Sequence, residues 1–195
     1  MRRLWIRTVD TLRTAKSEDT YILNGEEQVL MPHFTFHGFR YAAVEGIENP
    51  RPEMFTACVM HSDMRKTGEF HCSNEKVNQL QSNISWSLRD NFFDIPSDCP
   101  QRDERLGWMG DAQVFSWTAA FNRETALFFT KWMRDVSAAS SLERGVPHIV
   151  PDIQETYSSA AWSDAAVIIP WVVYQTYGDT RILEESWKCM HEWVD

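Results

Sequence analysis

The chain changes its hydrophobic rhythm near residue 70. Before that point apolar and polar residues alternate: in HFTFHGFRYAAVEGI, Phe34 and Phe36 oppose Thr35 and His37, the pattern breaks at Gly38, and it resumes with Phe39 and Tyr41. A period of two predicts a half-buried strand, with a bulge or kink at the glycine. MFTACVMHS places Phe55, Ala57 and Val59 on one face and predicts a second strand, with NPRP at 49–52 as the turn between them. Two or three strands are too few for a stable sheet. Residues 1–68 are therefore expected to be the C-terminal strands of a β-sandwich domain whose earlier strands lie upstream, and the chain to be a piece of a longer protein.

From Ser73 the period lengthens. Val77, Leu80, Ile84 and Leu88 fall at i, i+3, i+7 and i+11, a helical stripe with Ser73 and Asn74 as candidate caps. Residues 91–108 contain Pro96, Pro100 and Gly107 and cannot form one helix, which predicts a loop. Helical patterns resume at 111–121, 124–140, 163–177 and 180–193. Gly178 reads as a C-terminal stop, Asp179 and Thr180 as a new N-cap, and Pro170 predicts a kink or restart in the fourth pattern. Short connections pair such helices as antiparallel hairpins. The fold class expected is α+β, strands followed by an α/α bundle or toroid.

Composition narrows the partners. Nine Trp, eleven Phe and five Tyr suit either a large helical core or a site where flat rings stack on sugars. A net charge of -9 without any cluster of Lys and Arg argues against nucleic acid. No apolar run approaches the ~18 residues of a membrane span, and residues 1–7 lack the apolar stretch of a signal peptide. Localisation cannot be read from such a start. The four cysteines contain no CxxC pair and are expected to be reduced. His33 and His37 flank a strand-like FTF, which disfavours a metal site, and nothing calls for a cofactor.

The predicted loop carries the chemistry. Asp94, Asp98, Asp103, Glu104 and Asp111 stand within 18 positions, beside Gln101, Arg102, Arg105 and Trp108. Crowded carboxylates raise one another's pKa and interleaved arginines lower it, so such a loop can hold one carboxyl protonated beside ionised neighbours. Glycoside hydrolysis needs that pairing, a protonated acid for the leaving oxygen and a second carboxylate for water. Solvated ion pairs, or an Arg and Asp network bracing a helix entrance, would use the same residue types. The prolines, glycines and large apolar residues of the loop speak against a merely solvated one.

NFFDIPSDCPQRDERLGWMGDAQ closely resembles the signature of the bacterial α-L-rhamnosidases of glycoside hydrolase family 78. FTFHGFRYAAVEGI, HSDMRKTGEFHCSNEKVNQL and WSDAAVIIPWVVYQTYGDTRILEESW resemble further parts of that family, so the likeness covers nearly all of residues 20–195. It implies a β-sandwich ending near residue 68, and over 69–195 the N-terminal part of an (α/α)6 catalytic toroid. It also implies Glu104 as the general acid, with Asp103 as its rival. Asp98, Arg102, Trp108 and Asp111 would surround the rhamnose, with Trp162 as a further aromatic wall.

The family inverts, which requires a second carboxylate about 6.5–9.5 Å from the acid. That base is a downstream Glu in the family, and Glu143, Glu155, Glu184, Glu185 and Glu192 sit in no matching motif. The resemblance thus implies an acid without its base, a rhamnose-containing glycoside or polysaccharide as ligand, and an open helical face covered by the rest of a parent chain or by a homo-oligomer. A non-catalytic carbohydrate-binding or structural α-toroid is the alternative.

Overall fold

The computed structural model describes the backbone of residues 2–5 and the whole of residues 11–195. It divides into two compact units: Met1–Val59 with Cys99–Arg105, and Met60–Asp98 with Leu106–Asp195.

In the first unit β1 (Arg2–Trp5) is the centre of a three-stranded antiparallel sheet in the order β2-β1-β3, with β2 (Glu18–Tyr21) and β3 (Ala43–Val44) at its sides. Arg2 pairs with Tyr21 and Leu4 with Val44. The two long strands expected at 33–47 and 54–62 do not form. Only Ala43 and Val44 join the sheet, and a single 3-10 turn covers Pro52–Met54. Alternation makes a strand only where a neighbouring backbone supplies the hydrogen bonds. Phe34 shows the local obstacle, because its φ of 58° is left-handed, which an aromatic residue cannot carry into a pleat.

The second unit is helical. Its elements are α1 (Glu75–Asn91), a minimal hairpin of β4 (Phe92–Phe93) and β5 (Ile95–Pro96), α2 (Met109–Asn122), α3 (Ala126–Ala139), α4 (Ala165–Tyr177) and α5 (Arg181–Val194). Asn74 caps α1 by accepting from the Lys76 N–H at 3.0 Å. Of the apolar stripe on α1, Leu88 is buried, whereas Val77 and Leu80 are exposed. Gly178 ends α4 in the left-handed conformation at φ 68°. At the start of α5 the cap is Asp179 and not Thr180: its carboxylate accepts from the Arg181 N–H at 3.0 Å, while the Thr180 side chain makes no cap bond.

The core lies among α2 to α5. Phe129, Trp132, Met133 and Val136 from α3 meet Ala165, Ala166, Ile169 and Val173 from α4, with Ile182 and Cys189 from α5. Pro170 produces no restart, and α4 is continuous through it. A helix-interior proline costs about 3 kcal/mol, whereas burying a Val or Ile side chain returns about 1.5–3 kcal/mol each. Ile169, Val172 and Val173 beside it are all buried, so packing wins. Tyr177 ties the end of α4 to the α2–α3 connection: its hydroxyl accepts from the Thr125 N–H at 2.9 Å and donates to the Arg123 carbonyl at 3.2 Å. Val114, Trp117 and Phe121 of α2 remain exposed. Among the described residues no helix is long and apolar enough to cross a membrane, and no disulfide joins any of the four cysteines.

Candidate active site

The loop between α1 and α2 is pinned at its neck. The Asp98 N–H donates to the Leu106 carbonyl at 3.1 Å, and the Leu106 N–H donates to Asp98 Oδ1 at 2.9 Å. Just beyond, the Gly107 carbonyl accepts from the Val150 N–H at 2.9 Å, and the Met109 N–H donates to the His148 carbonyl at 2.8 Å. This β-like contact leaves no room for a side chain at Gly107, where a Cβ would stand 2.1 Å from the Val150 oxygen. Close backbone approach, not turn geometry, explains that glycine.

Residues 99–105 belong to the first unit. Arg105 holds the turn: its Nε donates to the Arg102 carbonyl at 2.9 Å, its Nη1 to the Phe36 carbonyl at 2.7 Å, and its guanidinium lies over the Phe36 ring. The Thr14 hydroxyl donates to Asp103. Glu104 receives two guanidinium groups on one oxygen, since Arg102 Nε and Arg13 Nη1 each donate to Oε2 at 2.9 Å. The hydrogen bond from Arg102, helped by the charges of Arg102 and Arg13, holds the Glu104 carboxyl below the ordinary carboxyl range against a weaker desolvation effect.

The Glu104 side chain is about a quarter exposed and accepts from two guanidinium groups. Cys99 Sγ stands within 4.8 Å of a Glu104 oxygen, but a carboxylate already neutralised by two guanidinium groups is a poor ligand for a metal cation.

Asp98, Trp108, Asp111 and Trp162 lie in the second unit. Asp98 and Asp111 line one cleft of about 500 Å³, together with Ser97, Asn91, Phe92 and Phe115. Gly110, also in that lining, faces Trp162: a Cβ there would meet the indole at 3.1 Å. Trp162 is thus brought against the first turn of α2, beside Asp111. His148 stands next to it, with ring centroids 5.5 Å apart and its Nε2 2.8 Å from Ser159 Oγ. The Trp108 Nε1 is buried without a hydrogen-bond partner among the described residues.

Arg13, Gly110 and His148 are the site neighbours that sequence reasoning did not single out. Arg13 is 91 positions from Glu104, and no local pattern signals such a contact. Gly110 carried a usable sign, a glycine in the first turn of a helix beside a named aspartate. The candidate glutamates for a base are occupied or peripheral: Glu185 pairs with Arg134, Glu192 with Lys188, and Glu143, Glu155 and Glu184 are exposed.

Comparison with known proteins agrees in extent. A family model described as the bacterial alpha-L-rhamnosidase 6 hairpin glycosidase domain matches residues 65–195, and one described as the bacterial alpha-L-rhamnosidase concanavalin-like domain matches residues 6–61. An alpha-L-rhamnosidase of Formosa agariphila is 46% identical over 190 residues, which are 95% of this chain and 20% of that protein. The structure of an alpha-L-rhamnosidase from Dictyoglumus thermophilum aligns with a TM-score of 0.93 at 38% identity, over 99% of this chain and 23% of the other. That of a Streptomyces avermitilis alpha-L-rhamnosidase complexed with L-rhamnose aligns with a TM-score of 0.92 at 39% identity, over 99% and 20%. The chain spans about a fifth of the length of the curated relatives it matches.

Proposed function

Because the chain belongs to the bacterial α-L-rhamnosidase family of six-hairpin glycosidases, we propose that it serves an inverting hydrolysis that releases terminal α-L-rhamnose from plant glycosides or polysaccharides. Residues 1–68 are the end of its β-sandwich domain and 69–195 the start of its catalytic toroid. Glu104 is the general acid. Asp98, Arg102 and Asp111 bind the sugar hydroxyls, while Trp108 and Trp162 supply its flat walls. The carboxylate that activates water comes from outside the glutamates of these residues. Further chain, or a second copy, packs on the exposed Val114, Trp117 and Phe121 face of α2.

The step follows from the charges. Water attacks the anomeric carbon from one face and gives a proton to the base, while the glycosidic oxygen leaves from the other face with the proton of Glu104. Glu104 must therefore take up a proton before each turnover. With Arg102 and Arg13 holding it as a carboxylate, the reaction favours the acidic side. Asp98 and Asp111 accept the hydroxyls of a neutral sugar.

What supports this reading is the segment from Asp98 to Asp111, which lies within the residues that the six-hairpin glycosidase family model matches. Glu104→Gln tests it, made in the longest form that the gene encodes and assayed on an aryl α-L-rhamnoside and a natural rhamnosyl disaccharide. General acid catalysis contributes about 10²–10⁴-fold. The disaccharide rate should fall by that order, and the aryl rate by less because its leaving group needs less protonation. Turnover of both substrates at the wild-type rate would remove Glu104 as the acid.

A further inference from the structure

We propose that Arg13 is a positioning residue for Glu104: with Arg102 it clamps a single carboxylate oxygen, Oε2, and leaves Oε1 as the atom that exchanges a proton. The inference rests on reading Glu104 as the acid, but its geometry stands in the first unit alone. Arg13 Nη1 and Arg102 Nε reach Oε2 at the same 2.9 Å, and among the described residues no hydrogen bond goes to Oε1.

The two arginines have different attachments. Arg102 lies in the same loop as Glu104, two positions away, and its backbone carbonyl is held by Arg105. Arg13 comes from a distant part of the chain, with Thr14 next to it bonded to Asp103. Residues 13 and 14 therefore grip both adjacent carboxylates, Asp103 through a hydroxyl and Glu104 through a cation. That division separates the two rival acids. Among the described residues Asp103 takes a neutral hydroxyl, whereas two planar guanidinium donors orient Glu104.

Cys99 faces Glu104 from its own loop and takes the Arg105 N–H on its sulfur, while the Arg105 guanidinium points to Phe36 and not to Glu104. Arg13 is well exposed, with 61% of its side chain accessible. Water therefore weakens its charge effect without removing the contact.

Carboxyl carbon NMR of Glu104 tests this in the chain itself, comparing wild type with Arg13→Gln and Arg13→Lys across a pH titration. A screened neighbouring cation is worth about half a pH unit or more. The Glu104 midpoint should rise by that amount in Arg13→Gln and return part of the way in Arg13→Lys. A midpoint within 0.2 units of wild type in Arg13→Gln, on the order of the smallest charge effect expected, would overturn the inference. In the longest encoded form, the high-pH limb of kcat/KM for rhamnoside hydrolysis should move upward by the same amount. If the NMR midpoint moves while that limb stays, Arg13 still positions Glu104 and the assignment of Glu104 as acid fails instead.

Discussion

Asp98 and Leu106 bond to each other twice, backbone to backbone at 3.1 Å and Leu106 N–H to Asp98 Oδ1 at 2.9 Å. The pair closes the neck of the loop that carries Glu104. One oxygen of a residue proposed to hold sugar is thus already used by the fold. Asp98 has a structural duty whether or not ligand is present, and its substitution has two effects that must be separated.

Asp98→Ala removes the acceptor and leaves the Leu106 N–H unpaired. A half-buried donor without a partner costs about 1–2 kcal/mol, which urea denaturation should show as a lowered midpoint. Asp98→Asn keeps an oxygen at the same place and should retain most of that stability. Amide exchange at Leu106 should accelerate in the alanine variant only. Equal exchange rates in the two variants would mean that the clasp does not hold the neck.

Gly107→Ala puts a methyl group where the Val150 carbonyl already stands, 2.1 Å from the new carbon. Either the Val150 to Gly107 hydrogen bond breaks or the 146–150 segment moves. Overpacking of this kind costs about 1–3 kcal/mol. The segment also anchors the core, since Trp132 Nε1 donates to the Val150 carbonyl at 3.1 Å. Trp132 fluorescence should therefore shift in the same variant. An unshifted spectrum with wild-type stability would show that the contact gives way freely.

Stability should depend on pH through Glu104. Its folded-state value lies below the ordinary 4.5, so the pairing contributes fully above about 4.5 and is lost as pH falls through the folded value. Denaturant midpoints measured at about pH 5 and about pH 3 should separate further in wild type than in Glu104→Gln. The difference is small, because water screens a clamp whose Arg13 side is exposed. Identical losses in the two proteins would show that the guanidinium groups do not hold Glu104 in solution.

Much of the helical half was legible from local pattern. The ends of α1, α3, α4 and α5 follow from apolar spacing, from Asn74 as a cap and from Gly178 as a stop, because each is decided within a few residues of itself. The strands were not. Alternation at 33–42 says which face would be buried, but hydrogen bonding to another strand decides whether a strand exists, and β1 reaches only Ala43 and Val44. Pro170 shows the same limit from the other side, where burial against three helices overrides a local breaker.

The residues of the candidate site were named from sequence because their types and spacing lie within one segment and one family resemblance. By itself the sequence determined that Glu104 stands among carboxylates and arginines, that a Trp closes the loop, and that a helical domain follows. Only the tertiary structure decided which charges face which. A carboxyl's ionisation depends on the groups within a few ångströms of it, and the chain brings Arg13 there from 91 positions away. The same reason placed Trp162 against Gly110 and gave Asp98 its second duty: hydrogen bonds and close contacts act through space, and the order of residues records only those that are also neighbours along the chain.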